Sequence, residues 1–254
     1  MKRKELLIIK TIYGIFLAIL LGTVFPVWAA NGDADTFREN TVARMREMAT
    51  ILWIPTENIP YWNKDIPNVF FKKGVLYEGI PYTQRHRETP PELFRENIDE
   101  NSYYTGPDDY IGTDCSSSVS IAWRTVDAEL PCLSTHQMFP GMGKIIAVGD
   151  YKVTSLKSTS QIVLDNGEAK ICAAYDQLKP GDAILTRNNG IGHVRMVIGT
   201  DPAKRKISII EQTGLSKEHQ FKGRRGTWRV DYWFSYEELI ENSYIPITHQ
   251  AFTD

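Results

Sequence analysis

Cys115, His193 and Glu211 are residues whose types and placement suit covalent catalysis by a thiol. Cys115 sits in Thr113-Asp114-Cys115-Ser116-Ser117-Ser118-Val119-Ser120-Ile121-Ala122-Trp123. Thr113 and Asp114 are good helix caps and the serines suit a first turn. Val119, Ala122, Trp123 and Val126 form an apolar stripe, so the spacing predicts a helix over 113–126 with Cys115 at its N-terminus. There, unpaired N–H groups and the helix dipole favour an anion by about 0.3–1 kcal/mol. A thiol with an ordinary pKa of about 8.5 falls to between about 3.5 and 7.5 in such surroundings, above all beside a histidine. The same N–H groups can hold a developing oxyanion. Taken alone, the segment is equally consistent with a small buried cysteine capping a core helix.

A thiolate needs a base. Gly192-His193-Val194-Arg195-Met196-Val197-Ile198-Gly199 places His193 at the start of a strand, and Lys206–Gln212 forms the next one. Thr200–Lys204 is a plausible hairpin loop between them. A hairpin symmetric about Pro202 pairs His193 with Glu211, Arg195 with Ile209 and Val197 with Ile207, with Gln212 on the opposite face. Directly opposed Cβ atoms lie about 4.5–5.5 Å apart, so Glu211 is placed to orient the imidazole and stabilise its charged form. A register slip of one residue gives that role to Gln212 instead.

The elements around this set follow from pattern. Residues 33–53 read as an amphipathic helix with Phe37, Val42, Met45, Met48, Ala49 and Leu52 inward and Arg38, Glu39, Arg44, Arg46 and Glu47 outward. Pro55, Pro60 and Pro67 punctuate an irregular connector holding Trp53, Tyr61 and Trp62, with the main domain starting near Phe70. Val75–Tyr82 reads as a short extended piece, and residues 83–112 as a long polar surface insertion with one short helix near Pro91–Asn97. Val153–Ile171 has β character, with a turn at Asp165-Asn166-Gly167. Leu178–Asp182 is a turn opening onto strands at 183–186, 192–199 and 206–212.

Composition narrows the functional classes. The 254 residues carry 29 Lys+Arg and 31 Asp+Glu, a net charge of −2 that argues against a strongly basic nucleic-acid binder. Three Cys and five His with no CxxC and no HExxH leave common zinc sites without ligands, and no GxxxxGK[ST] loop is present. Lys2, Arg3, Lys4 and Lys10 precede the uncharged run Thr11–Trp28, which exits through Val27-Trp28-Ala29. Residues 1–29 are therefore a secretory signal or, if uncleaved, a membrane anchor, and the rest is exported in either case. Four basic residues and one acid lie there, so the other 225 residues carry a net charge of −5.

Asp114-Cys115-Ser116 at a helix start, Lys179-Pro180-Gly181-Asp182, and Gly192-His193-Val194 together resemble the NlpC-type cell-wall cysteine peptidases. These are papain-like enzymes that cut peptide bonds in bacterial peptidoglycan stems. The similarity covers roughly residues 77–214, and the ordered set of motifs carries it. Ile210-Glu211-Gln212 also resembles a strand of the related CHAP amidases. The resemblance implies an α+β papain-like fold, with an antiparallel sheet packed on the helix that carries the nucleophile and an added N-terminal helix. The implied layout is a signal or anchor at 1–29, a helix and connector at 30–69 and a peptidase domain at 70–254.

Within that resemblance Cys115 is nucleophile, His193 base and Glu211 the orienting group, while Asp114 and Ser116 line the cleft. Ile80-Pro81-Tyr82 matches the family's Pro-Tyr stretch, so Tyr82 contacts substrate, with Tyr103 and Tyr104 as rivals because about thirty residues separate Tyr82 from Thr113. The family's glycine after Asp-Cys-Ser is Ser117 here, which tightens the turn, and Arg195 replaces a small residue, which narrows or recharges the groove. The implied activity is hydrolysis of stem-peptide amides at the cell wall with no metal or organic cofactor, no nucleic acid, and membrane contact only through an uncleaved N-terminus. Rival readings are a non-catalytic wall-binding domain of the same fold and a thioester acyltransferase or transglutaminase-like enzyme.

Several features stand outside that set. Cys132 and Cys172 form either a disulfide or two free thiols. The basic run Lys222–Arg229 reads as a solvated loop. Trp228, Tyr232, Trp233, Phe234 and Tyr236 are expected in the core or at the cleft rim. His86, His136, His219 and His249 have no partner pattern.

Overall fold

A computed structural model of the chain describes residues 34–60, 69–107, 111–214 and 226–253. The expected signal or anchor, Tyr61, Trp62, Pro67, His219 and residues 222–225 of the basic run lie outside them. No helix among the described residues is long and apolar enough to cross a membrane.

Helix α1 spans Ala34–Thr50 and buries Met45, Met48 and Ala49, as the periodicity requires. It stops before Trp53 because its last turn is capped from elsewhere. Ile80 N–H donates to Met48 O (2.9 Å) and Gly79 N–H to Ile51 O (2.7 Å), which satisfies carbonyls that a helix end leaves open. The chain then enters strand β1 (Leu52–Pro55), followed by the short β2 (Ile59–Pro60), β3 (Val69–Phe71) and β4 (Tyr77–Glu78). Among its described residues the connector is thus not irregular: β1 pairs with β4 on one side and with β5 (Tyr103–Tyr104) on the other. Trp53 is the reason. Its ring lies 4.9 Å from Phe71, 5.5 Å from Tyr77 and 5.8 Å from both Phe94 and Tyr104, and its indole N–H donates to Gly79 O.

The same cluster corrects the reading of residues 83–112 as surface. Helix α2 (Pro91–Arg95) forms where a short helix was expected, but Phe94 and Tyr104 are buried against Trp53. Aromatic packing of this kind bears no sequence period, because its partners come from separate segments.

Helix α3 (Cys115–Trp123) follows, and then strand β6 (Ile145–Ala147). The β character expected for 153–171 is absent. Two helices, α4 (Thr159–Asn166) and α5 (Glu168–Tyr175), occupy that stretch. Ser158 Oγ accepts from Gln161 N–H and caps α4, while Gly167 breaks the two helices apart at φ +78°. The Asp-Asn-Gly triplet thus ends a helix, a use of αL-tolerant residues that competes with the hairpin turn.

The remaining strands are β7 (Ala183–Asn188), β8 (Ile191–Asp201), β9 (Lys206–Gln212), β10 (Trp228–Ser235) and, after helix α6 (Tyr236–Glu241), β11 (Ile245–His249). They join β6 in an antiparallel sheet of order β10-β9-β8-β7-β11-β6. Helix α3 lies on β8 and β9, and α1 packs against both α3 and the same sheet. The protein is therefore an α+β fold whose largest sheet is antiparallel.

Arg38, expected on the solvent face of α1, is buried. It donates to Asp182 Oδ1 (2.8 Å) and Pro180 O (3.0 Å), and its guanidinium lies 4.5 Å from the Phe252 ring. Asp182, the last residue of Lys-Pro-Gly-Asp, also accepts from Thr248 and from Lys179 N–H (2.8 Å), so one carboxylate joins α1, the β7 turn and β11. Burial pushes the Asp182 carboxyl up despite the charge of Arg38. Arg38→Met is therefore expected to destabilise the protein by about 3 kcal/mol, since it strands a buried carboxylate. The loss should be largest near neutral pH and shrink as acid protonates Asp182 in the folded state, because a raised carboxyl pKa disfavours folding only where the group must ionise. Urea melts at the two pH values check this; an equal loss at both would contradict it.

Candidate active site

The head of α3 is built by its own sequence. Asp114 is the N-cap: its carboxylate accepts from Ser117 N–H (2.7 Å), and Asp114 N–H donates back to Ser117 Oγ (2.8 Å). Ser117 thus completes a capping box. Ser118 N–H donates to Asp114 O (3.0 Å). The amides of Cys115 and Ser116 are then the ones left at the head of the helix. The helix is buried on every side along its length, and Cys115 faces the cleft with 7% of its surface exposed.

The β8–β9 hairpin supplies the histidine and the acid in a register two residues from the expected one. Pro202–Lys204 forms a 3-10 turn, and Arg205 follows at φ +52°. The strands therefore begin pairing at Asp201 with Lys206 and run through Thr200–Ile207 and Gly199–Ser208. Ile198 then bulges out, and pairing resumes at Val197–Ile209 and Met196–Ile210. One step further, Arg195 faces Glu211, with His193 the diagonal neighbour on the same side. His193 Nε2 lies 2.5 Å from Glu211 Oε2. Gln212 points to the opposite face, where it accepts from Thr113 Oγ1 and donates to Ile80 O (2.8 Å). The slip that would bring Gln212 to the ring does not occur.

Glu211 is 1% exposed and gathers three cationic partners. Arg195 Nε donates at 2.8 Å from one neighbouring strand, and Arg229, its paired residue on β10, donates at 3.1 Å from the other. Burial favours the neutral carboxyl, but the hydrogen bond to His193 and the charges of His193, Arg195 and Arg229 outweigh it and hold the group well below the usual carboxylate range. Arg195 does not enter the groove. Its guanidinium stacks 3.9 Å from Phe234 and 4.4 Å from Tyr244. The role that sequence reading missed for Arg195 and Arg229 is to fix the acid; alternation alone carries no signal for it.

Burial would lower the His193 pKa, yet its electrostatic and hydrogen-bonding interactions with Cys115 and Glu211 raise it from 6.5 to about 9. With Nε2 turned to Glu211, Nδ1 is the ring nitrogen left for the sulfur.

Cys115, His193, Tyr82, Asp114 and Ser116 all line one cleft of about 490 Å³. Tyr82 reaches it because the chain returns: Tyr82 and Thr113 form a parallel bridge, Thr113 N–H donates to Pro81 O (3.1 Å) and Thr83 N–H to Thr113 O (2.9 Å). Gly112 permits this approach, since a Cβ there would collide with Pro81 O. Tyr103 is exposed and Tyr104 is buried beside Trp53, so neither rival lines the cleft.

Asp114 and Ser116 face the cleft but are occupied. Arg87 Nη1, from the insertion, donates to both Asp114 oxygens (3.1 and 3.3 Å), to Ser116 Oγ (3.0 Å) and to Leu133 O (3.2 Å). Cys132 and Cys172 are free thiols, and burial pushes Cys132 up to about 11. Trp228 and Tyr236 are core residues, whereas Trp233 is about half exposed. His86, His136 and His249 do not line the cleft.

No family model, curated protein or solved structure matches this chain.

Proposed function

We propose that this chain is an exported cysteine hydrolase of papain-like, NlpC-type architecture that cleaves amide bonds in peptidoglycan stem peptides. The observation that supports it is a helix-head cysteine and an imidazole lining one cleft, with a buried carboxylate against the imidazole. In this mechanism Cys115 Sγ attacks the amide carbonyl as a thiolate, with its proton held on His193. The oxyanion forms at the N–H groups of Cys115 and Ser116. The C–N bond breaks as His193 passes the proton to the leaving amine, and a thioester remains. Water then gives a proton to His193 and attacks the thioester, which releases the acid and restores the thiolate with its proton on His193. Glu211 keeps the ring oriented and its cation stabilised throughout.

The test is digestion of purified peptidoglycan followed by mass analysis of soluble fragments. The native chain should release muropeptides with shortened stems, and the same protein alkylated at Cys115 should release none. Equal release from both, or none from the native chain, overturns the proposal.

A further inference from the structure

Among the described residues, the cleft holds one charge without a counter-charge. Besides Tyr82, its ionisable walls are Arg87, Asp114, Cys115, Arg187 and His193. Arg87 is paired with Asp114, and His193 with Cys115 and Glu211. Arg187 has no acidic partner among the described residues; its only side-chain hydrogen bond is Nη1 to Thr135 Oγ1 at 2.9 Å.

That arginine is also held in place. Its backbone N–H donates to Thr159 Oγ1 (3.0 Å), which fixes the end of β7 to the start of α4. It pairs across the ladder with Gly192, the residue before His193. A Cβ on Gly192 would collide with Thr135 and come within 3.3 Å of the Arg187 stem, so the glycine lets threonine and arginine close over the strand. A fixed guanidinium with open donors beside a reactive centre is a carboxylate receptor, because its fork matches two carboxylate oxygens. Asp114, the acid that would attract an amine at the same cleft, is already neutralised by Arg87.

We infer that Arg187 and Thr135 form an anion subsite, and that the cleft takes stem peptides bearing a free carboxylate near the scissile amide in preference to amidated ones. The substrate class named here rests on the hydrolase reading above.

Alkylation of Cys115 by iodoacetate and by iodoacetamide, read by mass spectrometry, compares an anion with a neutral analogue of the same size. At about 20 mM salt the iodoacetate-to-iodoacetamide rate ratio of the native protein should exceed that of Arg187→Gln by about five-fold, and the two should converge at about 1 M salt. Arg187→Lys should keep most of the native ratio. Equal ratios at low salt in native protein and Arg187→Gln overturn the anion subsite and leave the hydrolase reading to the peptidoglycan digest. If neither reagent labels Cys115, the hydrolase reading falls, and the subsite is read by NMR. N-acetyl-D-glutamate should then shift the Arg187 Nε–H signal while its diamide does not; an unmoved signal overturns the subsite as well.

Discussion

Cys115→Ala is expected to fold as the native protein does and to lose peptidoglycan cleavage by about 10⁴-fold or more, since no other group at the cleft can form the thioester. The same variant should change His193 in a measurable way. The ring titrates at about 9 because Cys115 and Glu211 together overcome its burial. Removing the sulfur leaves Glu211 and the burial, so the pKa falls. In the native protein the sign is that of a raised base. The protonated ring stabilises the fold fully below about pH 6.5, and the contribution is lost as pH rises through about 9. Cleavage should fade over the same alkaline limb, because the proton that the leaving amine needs is then gone. NMR titration of the ring in both proteins, beside a pH–rate profile of the native one, checks all three points. A ring that titrates near 9 without the sulfur would show that the two groups do not touch.

Glu211→Gln should cost both activity and stability. The amide keeps the shape but removes the charge that Arg195 and Arg229 converge on, and Arg195 lies between two aromatic rings with 12% of its side chain exposed. Leaving such a cation without its partner costs on the order of 3 kcal/mol. The ring of His193 loses its acceptor and the stabilisation of its charged form, for which a loss of about 10²- to 10⁴-fold in turnover is expected. Turnover is to be measured where circular dichroism reports a folded variant, which separates the two losses. Denaturant melts give the first. Native turnover in a folded Glu211→Gln would remove the carboxylate from the mechanism. A variant that melts like the native protein would mean that the arginines are solvated.

What could be read from sequence follows from how local each signal is. The α3 cap was legible because Thr113, Asp114 and the apolar stripe lie within one turn or two of each other. The β7–β8–β9 order was legible from alternation and a Pro-containing turn. Helices α4 and α5 were not, because Ile162, Val163 and Ile171 have strand propensity and Asp-Asn-Gly serves hairpins and helix ends alike. The register was missed because a 3-10 turn ending in a left-handed Arg205 shortens the loop, and neither it nor the bulge at Ile198 leaves a mark on side-chain type. The pairing of Arg195 and Arg229 with Glu211 depends on the shifted register and on β10, and the Arg87–Asp114 pair on the insertion, so none of them follows from the hairpin expected in the sequence.

The bulge at Ile198 lies between the turn and the pairs that carry the chemistry. A bulge takes up one extra residue without altering the pairs on either side of it. Paired residues share a face of the sheet, so loss of Ile198 would leave Val197 opposite Ile209 and keep His193 on the side of Glu211. The reactive end of the hairpin is thereby insulated from changes of length near its turn.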